Sequence, residues 1–303
     1  MPGGVGSMSC VSRAVFLFVA LLASAILALP AGANAQTRPQ KLVVGLLPGE
    51  SPETVMRLNE PLRAYLQKRL GMPVELMVGQ TYAATGEALR FGRIDIAYLG
   101  PITYLLRSRS AQLEAFARPS HDGVGPWFKA VVIVPAASPA KTLADLKDTV
   151  VAYGDRASTS GTWVPRYQFL EAGLVAGRDY TARLMGGHDN VARAVAGGLT
   201  AAGGLSQPVF NRLTGEGKID PKSVRVLAES PDIPEYMWTF REGLDPAFKE
   251  EIRKAFFEVN DPAMLKVFRA ISFVPCNETD LDRVRGWIAT TEAAIPGTMP
   301  KAR

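Results

Sequence analysis

Cysteine and histidine are scarce in this chain of 303 residues, which contains two of each. Cys10 lies in an N-terminal segment that reads as a cleaved signal, so Cys276 would be the sole cysteine of the mature chain. No intramolecular disulfide could then form. One cysteine with His121 and His188 is also a poor basis for a structural zinc site, and we expect neither a metal nor another cofactor.

Clusters of like charge are also lacking. Loss of residues 1–35 removes one basic residue, Arg13, and leaves 33 basic and 29 acidic residues, a net charge of +4. This mild positive balance helps anionic ligands approach, but the basic residues are scattered. We therefore expect no nucleic-acid partner.

The N-terminus carries the features of a secretory signal. Arg13 precedes an apolar run that reaches Leu29, and Ala33-Asn34-Ala35 is a typical cleavage motif. The run is long enough for a membrane anchor, but the terminal Ala-x-Ala favours cleavage. We expect residues 1–35 to be a cleaved signal peptide.

Apolar segments alternate with helical patterns along the mature chain. Residues 42–47, 73–78 and 94–99 read as buried strands, and helical spacing follows each of them. Pro61 falls inside the first helical pattern and predicts a kink or a fresh helix start there. The alternation predicts parallel βαβ units and an α/β fold.

Three consecutive hydroxyl residues lie where a strand turns into a helix. The apolar run 149–153 is followed by Ser158, Thr159, Ser160 and Gly161, and a helical pattern comes next. A helix start has unpaired N–H groups and the positive end of the helix dipole, so the stretch suits a tetrahedral oxyanion. The alternative is that one of these residues merely caps its helix.

Three more helices begin with small or hydroxyl residues directly after strands, at Thr81-Tyr82, Gly100-Pro101 and Gly187-His188. Ligands of open α/β sheets bind at the carboxyl ends of the strands, so these starts could surround one anion without a buried lysine or arginine. His188 could donate a hydrogen bond from either ring nitrogen, or could cap its own helix. For Tyr104 we favour a packing role.

Several motifs carry a family resemblance, in an order that spans almost the whole mature chain. They are Pro61-Leu62, Thr81-Tyr82, Asp95-Ile96-Ala97-Tyr98-Leu99-Gly100-Pro101, Ser158-Thr159-Ser160-Gly161, Gly187-His188-Asp189, and Glu229-Ser230-Pro231 with Ile233-Pro234 before Trp238. With them the chain resembles the phosphate/phosphite/phosphonate-binding proteins of ABC transporters, a periplasmic binding-protein family.

The resemblance implies a periplasmic, type II binding protein with two α/β lobes. Its parallel or mixed sheets would be flanked by helices, and the lobes would close on a ligand in the cleft between them. Residues 36–128 with 237–303 would form the first lobe, and residues 129–236 the second. The implied partners are a small oxyanion and a membrane permease, or alternatively a sensor kinase, and we expect a monomer.

The implied ligand-binding residues agree with those reached from the helix starts. They are Tyr82, Tyr98, Gly100, Ser158, Thr159, Ser160, Gly161 and His188. We expect no catalytic residues. The competing enzymatic interpretation is a phosphoester hydrolase with Ser158 or Ser160 as nucleophile and His188 as base.

Departures from the family pattern bear on the ligand. Phe128 stands where the family often has a second tyrosine, and Ala201 where it usually has aspartate. Members that bind aminoalkylphosphonates use two carboxylates for the amine, and the corresponding stretches here read Gln207-Pro208 and Glu235-Tyr236. Glu235 could substitute if the alignment shifts by one.

A buried ammonium without a carboxylate is costly. We therefore predict a small unaminated oxyanion: phosphite, phosphate or a short alkylphosphonate. Some relatives sense arsenic oxyanions, which draws attention to Cys276. That residue lies in the C-terminal tail, away from the predicted contacts, and we interpret it as inert.

Overall fold

The computed structural model describes residues 1, 3, 4 and 38–296. The apolar run and cleavage motif of the predicted signal peptide lie outside the described residues. Among the helices that are described, none is both long and apolar enough to cross a bilayer.

Thirteen strands are found in the described part of the chain, most of them four to seven residues long. They are β1 (Leu42–Leu46), β2 (Val74–Val78), β3 (Ile96–Leu99), β4 (Glu114–Ser120), β5 (Trp127–Phe128), β6 (Ala130–Pro135), β7 (Val150–Tyr153), β8 (Thr181–Leu184), β9 (Ala202–Ser206), β10 (Val224–Glu229), β11 (Ile233–Pro234), β12 (Met237–Phe240) and β13 (Ser272–Pro275).

Nine α-helices connect these strands or follow them within the same described ranges. They are α1 (Pro52–Leu70), α2 (Tyr82–Arg90), α3 (Pro101–Arg107), α4 (Val164–Glu171), α5 (His188–Ala196), α6 (Gln207–Gly215), α7 (Pro246–Phe257), α8 (Pro262–Val267) and α9 (Asp282–Ala294).

The strands form two larger sheets. The six-stranded sheet has the order β13-β4-β12-β3-β1-β2, and the five-stranded sheet has the order β10-β6-β9-β7-β8. In each, a parallel group (β2, β1 and β3, or β8, β7 and β9) continues into antiparallel neighbours. This arrangement confirms the prediction of an α/β fold with mixed sheets flanked by helices.

A short ribbon lies where the chain passes between the two sheets. β5 follows a strand of the six-stranded sheet and β11 follows a strand of the five-stranded sheet, and the two pair antiparallel, with Ile233 opposite Phe128. The two chain segments that connect the sheets are therefore hydrogen-bonded to each other. The segments that follow the carboxyl ends of the two parallel groups meet at a cleft, where the His188 N–H after β8 donates to the Gly49 carbonyl after β1.

The prediction of a fresh helix start at Pro61 is wrong. Helix α1 runs without a break from Pro52 to Leu70, with Pro61 in its interior. An interior proline removes one hydrogen bond of the helix, but tertiary packing can offset that loss. Here Val55, Leu62 and Leu66 all lie buried in the core of the six-stranded sheet.

Candidate functional site

The hydroxyl stretch forms an unusual helix start. After β7 ends at Tyr153, Thr159–Trp163 make a single π-helical turn with Ser158 as its N-cap, and α4 continues from Val164. The Trp163 N–H reaches back to the Ser158 carbonyl at 3.1 Å. Such π-turns are rare, and they occur frequently at functional sites.

The three hydroxyls of this stretch have different partners. Ser158 Oγ accepts from the Gly161 N–H at 3.1 Å, so it caps its own helix start. Thr159 Oγ1 accepts from the Ile102 N–H at 3.0 Å, which caps α3 on the other side of the cleft. A hydroxyl that accepts a bond still has its own hydrogen to donate. Both residues thus serve as caps while remaining possible donors to an anion.

Ser160 differs from its neighbours. Its side chain is 0% exposed, and its Oγ has no hydrogen-bond partner among the described residues. A buried polar group without a partner is costly, and such groups in a folded protein call for an explanation. Ser160 is therefore the hydroxyl of the stretch that is most available to a ligand.

Glycines allow the backbone to approach this cluster. A Cβ on Gly161 would lie 2.9 Å from both His188 Cε1 and Ser158 Oγ. A Cβ on Gly100 would lie 2.9 Å from Tyr236 Cζ and 3.3 Å from Thr159 Oγ1. Contacts below 3.0 Å are shorter than van der Waals separation. Both predicted glycines therefore occupy positions where a side chain does not fit.

His188 begins α5 and is 4% exposed. Its N–H donates to the Gly49 carbonyl at 2.8 Å, and its ring Nδ1 accepts from the Ser206 N–H at 3.3 Å. Burial lowers the pKa of His188 to about 4, and Asp189 opposes this shift only in part. The ring is therefore neutral near pH 7 with its hydrogen on Nε2, which makes Nε2 a hydrogen-bond donor.

This tautomer argues against the hydrolase interpretation. A general base needs a free nitrogen lone pair within reach of the serine hydroxyl. In His188 the Nδ1 lone pair is used by Ser206 and Nε2 already carries a hydrogen. Asp189, the candidate orienting acid, pairs with Arg193 at 2.5 Å.

Two tyrosine hydroxyls complete the cluster. Tyr82, at the start of α2, is 1% exposed, and burial raises its pKa well above the ordinary range. Burial likewise raises the pKa of Tyr236 to about 12, and the hydroxyls of Tyr82, Ser160 and Ser158 beside it oppose the shift. Both tyrosines therefore keep their hydrogens near pH 7 and can donate. Tyr236 was not among the residues predicted from the sequence.

A cavity of about 210 Å³ opens beside this cluster. Tyr82, His188 and Tyr236 line one part of it, together with Gly49 and Ser206. The buried residues of the hydroxyl stretch do not line the cavity in this structure, but Ser158 and Ser160 lie beside Tyr236, which does. Further lining residues are mostly apolar and come from α1, α6, the end of α8 and the two residues after it: Val55, Leu58, Asn59, Val209, Val267, Phe268 and Arg269.

Tyr98 lies in a different part of the same cavity from the hydroxyl stretch. Its hydroxyl is 3.3 Å from Glu235 Oε1, and its ring stacks on Trp238 with centroids 5.0 Å apart. Tyr98 is thus a wall of the cavity that contacts a carboxylate. Of the eight predicted residues, it is the one that the structure sets apart from the hydroxyl cluster.

Two carboxylates line the cavity, and each has a cationic partner. Glu50 forms an ion pair with Arg212, which reaches across the cleft from α6. Glu235 Oε2 lies 2.9 Å from His121 Nε2. Because both carboxylates are paired, the cavity has little net negative charge to repel an anion.

Residues from the two sheets contact each other around the cluster. Asp155 Oδ2 accepts from the Tyr82 N–H at 3.2 Å, and the Ala157 carbonyl accepts from Thr103 Oγ1 at 3.2 Å. The bond from the His188 N–H to the Gly49 carbonyl is a third contact of this kind.

The remaining candidates lie away from the cavity. Burial raises the pKa of the Cys276 thiol to about 12, so the thiol stays protonated and unreactive. Tyr104 donates to Glu278 Oε1 at 2.6 Å and packs in the core. Both observations agree with the packing roles expected for these residues.

The depressed pKa of His188 predicts a loss of stability in acid. The folded value of about 4 lies below the ordinary value of about 6.5, so unfolding takes up a proton between these values. The stabilisation is complete above about pH 6.5 and is lost as the pH falls towards 4. At pH 5.5 we expect the free energy of unfolding to be about 1.4 kcal/mol lower than at pH 8 from this residue alone.

Urea unfolding of the wild type and of His188→Gln at both pH values measures this loss. The variant removes the titrating ring, while His121 and the carboxylates are retained as an internal control. Equal losses in the two proteins would contradict the assigned state of His188.

The sequence and fold were compared with known proteins. Residues 44–282 match the family model described as "ABC transporter, phosphonate, periplasmic substrate-binding protein". The phosphonates-binding periplasmic protein of Escherichia coli is 27% identical over 228 residues, which cover 74% of this chain and 68% of that protein.

Two further similarities cover most of the chain. The phosphate-import protein PhnD of Mycolicibacterium smegmatis is 26% identical over 295 residues, covering 92% of this chain and 91% of that protein. The crystal structure of a binding-protein component of an ABC phosphonate transporter from Pseudomonas aeruginosa superposes with a TM-score of 0.78 at 21% identity, covering 88% of this chain and 91% of the other. The type II binding-protein fold predicted from the sequence is confirmed.

Proposed function

Because the chain belongs to the family of periplasmic phosphonate-binding proteins of ABC transporters, we propose that it captures a small, unaminated phosphorus oxyanion for import. The candidate ligands are phosphite, phosphate and short alkylphosphonates. Delivery would be to the membrane permease of the transporter. The proposed location is the periplasm, reached through a cleaved signal peptide.

The observation that carries the proposal is the convergence of neutral donors from both sides of the cleft at one buried point. Tyr82 and Tyr236 keep their hydrogens, His188 presents Nε2–H, and Ser160 has a buried hydroxyl without a partner. The starts of α2 and α5 add the positive ends of their dipoles. Such a site stabilises an anion without a buried lysine or arginine.

The absence of an amine on the ligand is supported by the two carboxylates that line the cavity. Glu50 is paired with Arg212, and Glu235 with His121. A ligand ammonium would have to compete with these cations or remain buried without a partner, which is costly. A hydrogen, oxygen or alkyl substituent on phosphorus has no such requirement.

We further propose that residues 36–128 with 237–303 and residues 129–236 are two lobes that close on the ligand. The ribbon of β5 and β11 would be the hinge. Thr159, Asp155 and His188 on one side bond to Ile102, Tyr82 and Gly49 on the other. These bonds support closure because they can form only when the lobes meet.

A thermal-shift series on the mature chain tests the proposed ligand class. A ligand that binds only the folded state raises the melting temperature by mass action. At a ligand concentration of about 100 times Kd the gain is about 2.7 kcal/mol, several degrees for a protein of this size. We expect shifts with phosphite, phosphate or methylphosphonate, and none with 2-aminoethylphosphonate. A shift with 2-aminoethylphosphonate alone would contradict the proposal.

A further inference from the structure

The Glu235 carboxylate is buried at the wall of the cavity, and both of its oxygens have hydrogen-bond partners. Its side chain is 6% exposed. Oε1 accepts from the Tyr236 N–H at 2.9 Å and lies 3.3 Å from the Tyr98 hydroxyl, while Oε2 lies 2.9 Å from His121 Nε2. A ligand substituent that extends from the hydroxyl cluster past Tyr236 and Tyr98 approaches this carboxylate.

The partners of the His121 ring fix its proton count. Nδ1 lies 3.1 Å from the Arg269 carbonyl, which can only accept, so Nδ1 carries a hydrogen. Nε2 faces Glu235, so the bond between them requires a second proton. The His121–Glu235 pair is therefore electrically neutral as a whole. The negative charge of Glu235 is cancelled at the wall of the cavity.

We propose that His121 sets the charge selectivity of the cavity. Because it pairs with the Glu235 carboxylate, phosphonates whose substituent carries an ammonium group are excluded, and phosphonates with uncharged alkyl substituents are admitted. This inference rests on the proposed function and deepens it, because it assigns the discrimination to one side chain. His121 acts through Glu235, so it is a positioning residue for ligand recognition.

Physical chemistry gives the direction of the effect. An ammonium group near Glu235 meets a neutral pair in the wild type, so it loses its hydration without gaining a counter-ion. Replacing His121 by glutamine retains a donor to Glu235 but removes the positive charge. The freed carboxylate then offers an ammonium a charge-assisted bond, which is about twice as strong as a neutral one.

A second measurement varies the pH instead of replacing His121. His121 faces Glu235 and Arg269, and Tyr98 lies beside Glu235. The adjoining groove is also lined by Lys129, Glu229 and Asp232. The hydrogen bond that the His121 ring donates to Glu235 raises the pKa of His121 above its ordinary value of about 6.5. Burial raises the pKa of Tyr98 well above its ordinary value.

The experiment is titration calorimetry with two matched ligand pairs: ethylphosphonate with 2-aminoethylphosphonate, and propylphosphonate with 3-aminopropylphosphonate. At a fixed pH the ionisation of each ligand is the same for every protein, so the change of the affinity ratio between wild type and variant reports the ammonium group. We expect the ratio of alkyl to aminoalkyl affinity to fall by about tenfold or more in His121→Gln. The double variant His121→Gln/Glu235→Gln lacks the carboxylate and should restore the preference for the alkyl ligand.

In the wild type this ratio, divided by the ratio for Glu235→Gln at the same pH, should fall as the pH rises past the raised pKa of His121. The division cancels the ionisation of the ligands, and this measurement decides the question if His121→Gln does not fold. An unchanged ratio in the folded His121→Gln variant, or an unchanged normalised ratio in the wild type as the pH rises, would overturn the proposal. Failure of the wild type to bind phosphite, phosphate and every alkylphosphonate would instead overturn the proposed function, whereas binding of phosphite or phosphate without either alkylphosphonate would overturn this inference alone.

Discussion

Gly161→Ala is expected to lower the affinity for methylphosphonate by ~100-fold or more, equivalent to a loss of about 2.7 kcal/mol. The new Cβ would lie 2.9 Å from both His188 Cε1 and Ser158 Oγ. His188 is buried and its ring is bonded to Ser206, so it cannot move aside without losing that bond. The added methyl group therefore displaces two donors of the cluster at once, and overpacking of this kind costs ~1–3 kcal/mol in a folded core.

A second glycine-to-alanine substitution serves as the control, because it shows whether any added methyl group lowers the affinity. Gly286 lies in α9 with no atom within 4 Å of its would-be Cβ, and it is exposed. Gly286→Ala should leave binding unchanged and stabilise the helix by up to ~1 kcal/mol. Titration calorimetry of both variants, with circular dichroism to verify folding, measures the difference. An affinity of folded Gly161→Ala within threefold of the wild type would contradict the placement of the site.

Ser160→Ala is expected to weaken binding by about 10- to 150-fold, the range for a hydrogen bond to a charged group. Its stability without ligand should change little, because Ser160 Oγ makes no hydrogen bond of normal geometry to the described residues and lies only beside the Tyr236 hydroxyl. A residue that serves only the fold would show the opposite pattern. The combination of weaker binding with unchanged stability is therefore specific to a ligand-binding role.

Thr200 provides the control for Ser160→Ala. It is also a buried residue whose Oγ1 has no hydrogen-bond partner in the described part of the chain, but it precedes β9, whereas Ser160 lies beside Tyr236, which lines the cavity. Thr200→Val removes a similar hydroxyl and should leave affinity unchanged. Equal affinities of Ser160→Ala and the wild type, measured by calorimetry with methylphosphonate, would remove Ser160 from the site.

The helix starts of the site could be predicted because their signals are local. Thr81 caps α2 with its hydroxyl, and Pro101 stands at the first position of α3. The glycines before α3 and α5 are likewise visible in the sequence. Since ligands bind at the carboxyl ends of parallel strands, these positions could be grouped before the structure was known.

The role of Tyr236 could not be predicted from local pattern. It lies between β11 and β12, and its position depends on the pairing of β12 with β3 and of β11 with β5. These pairings join segments more than 100 residues apart in the chain. The family resemblance did single out the stretch around Tyr236, because some relatives carry an amine-binding carboxylate there. It did not indicate that Tyr236 would be a hydroxyl donor.

Strand β9 shows a second limit of the sequence. Its residues Ala202–Ser206 include two glycines, which are depleted in strands. The structure gives the reason: a Cβ on Gly203 would lie 2.6 Å from Val191, and one on Gly204 would lie 2.6 Å from Pro165. The glycines allow α5 and α4 to pack closely against the sheet, a requirement that only the assembled fold reveals.

The measurement that tests the central claim most directly is a crystal structure of the mature chain grown with methylphosphonate. We predict that the phosphonate oxygens lie within about 3.2 Å of Ser160 Oγ, Tyr82 Oη, Tyr236 Oη and His188 Nε2. The methyl group should point into the part of the cavity lined by Tyr98. A phosphonate bound away from these four donors, for example only at Arg269 on the opposite side of the cavity lining, would contradict the proposed site.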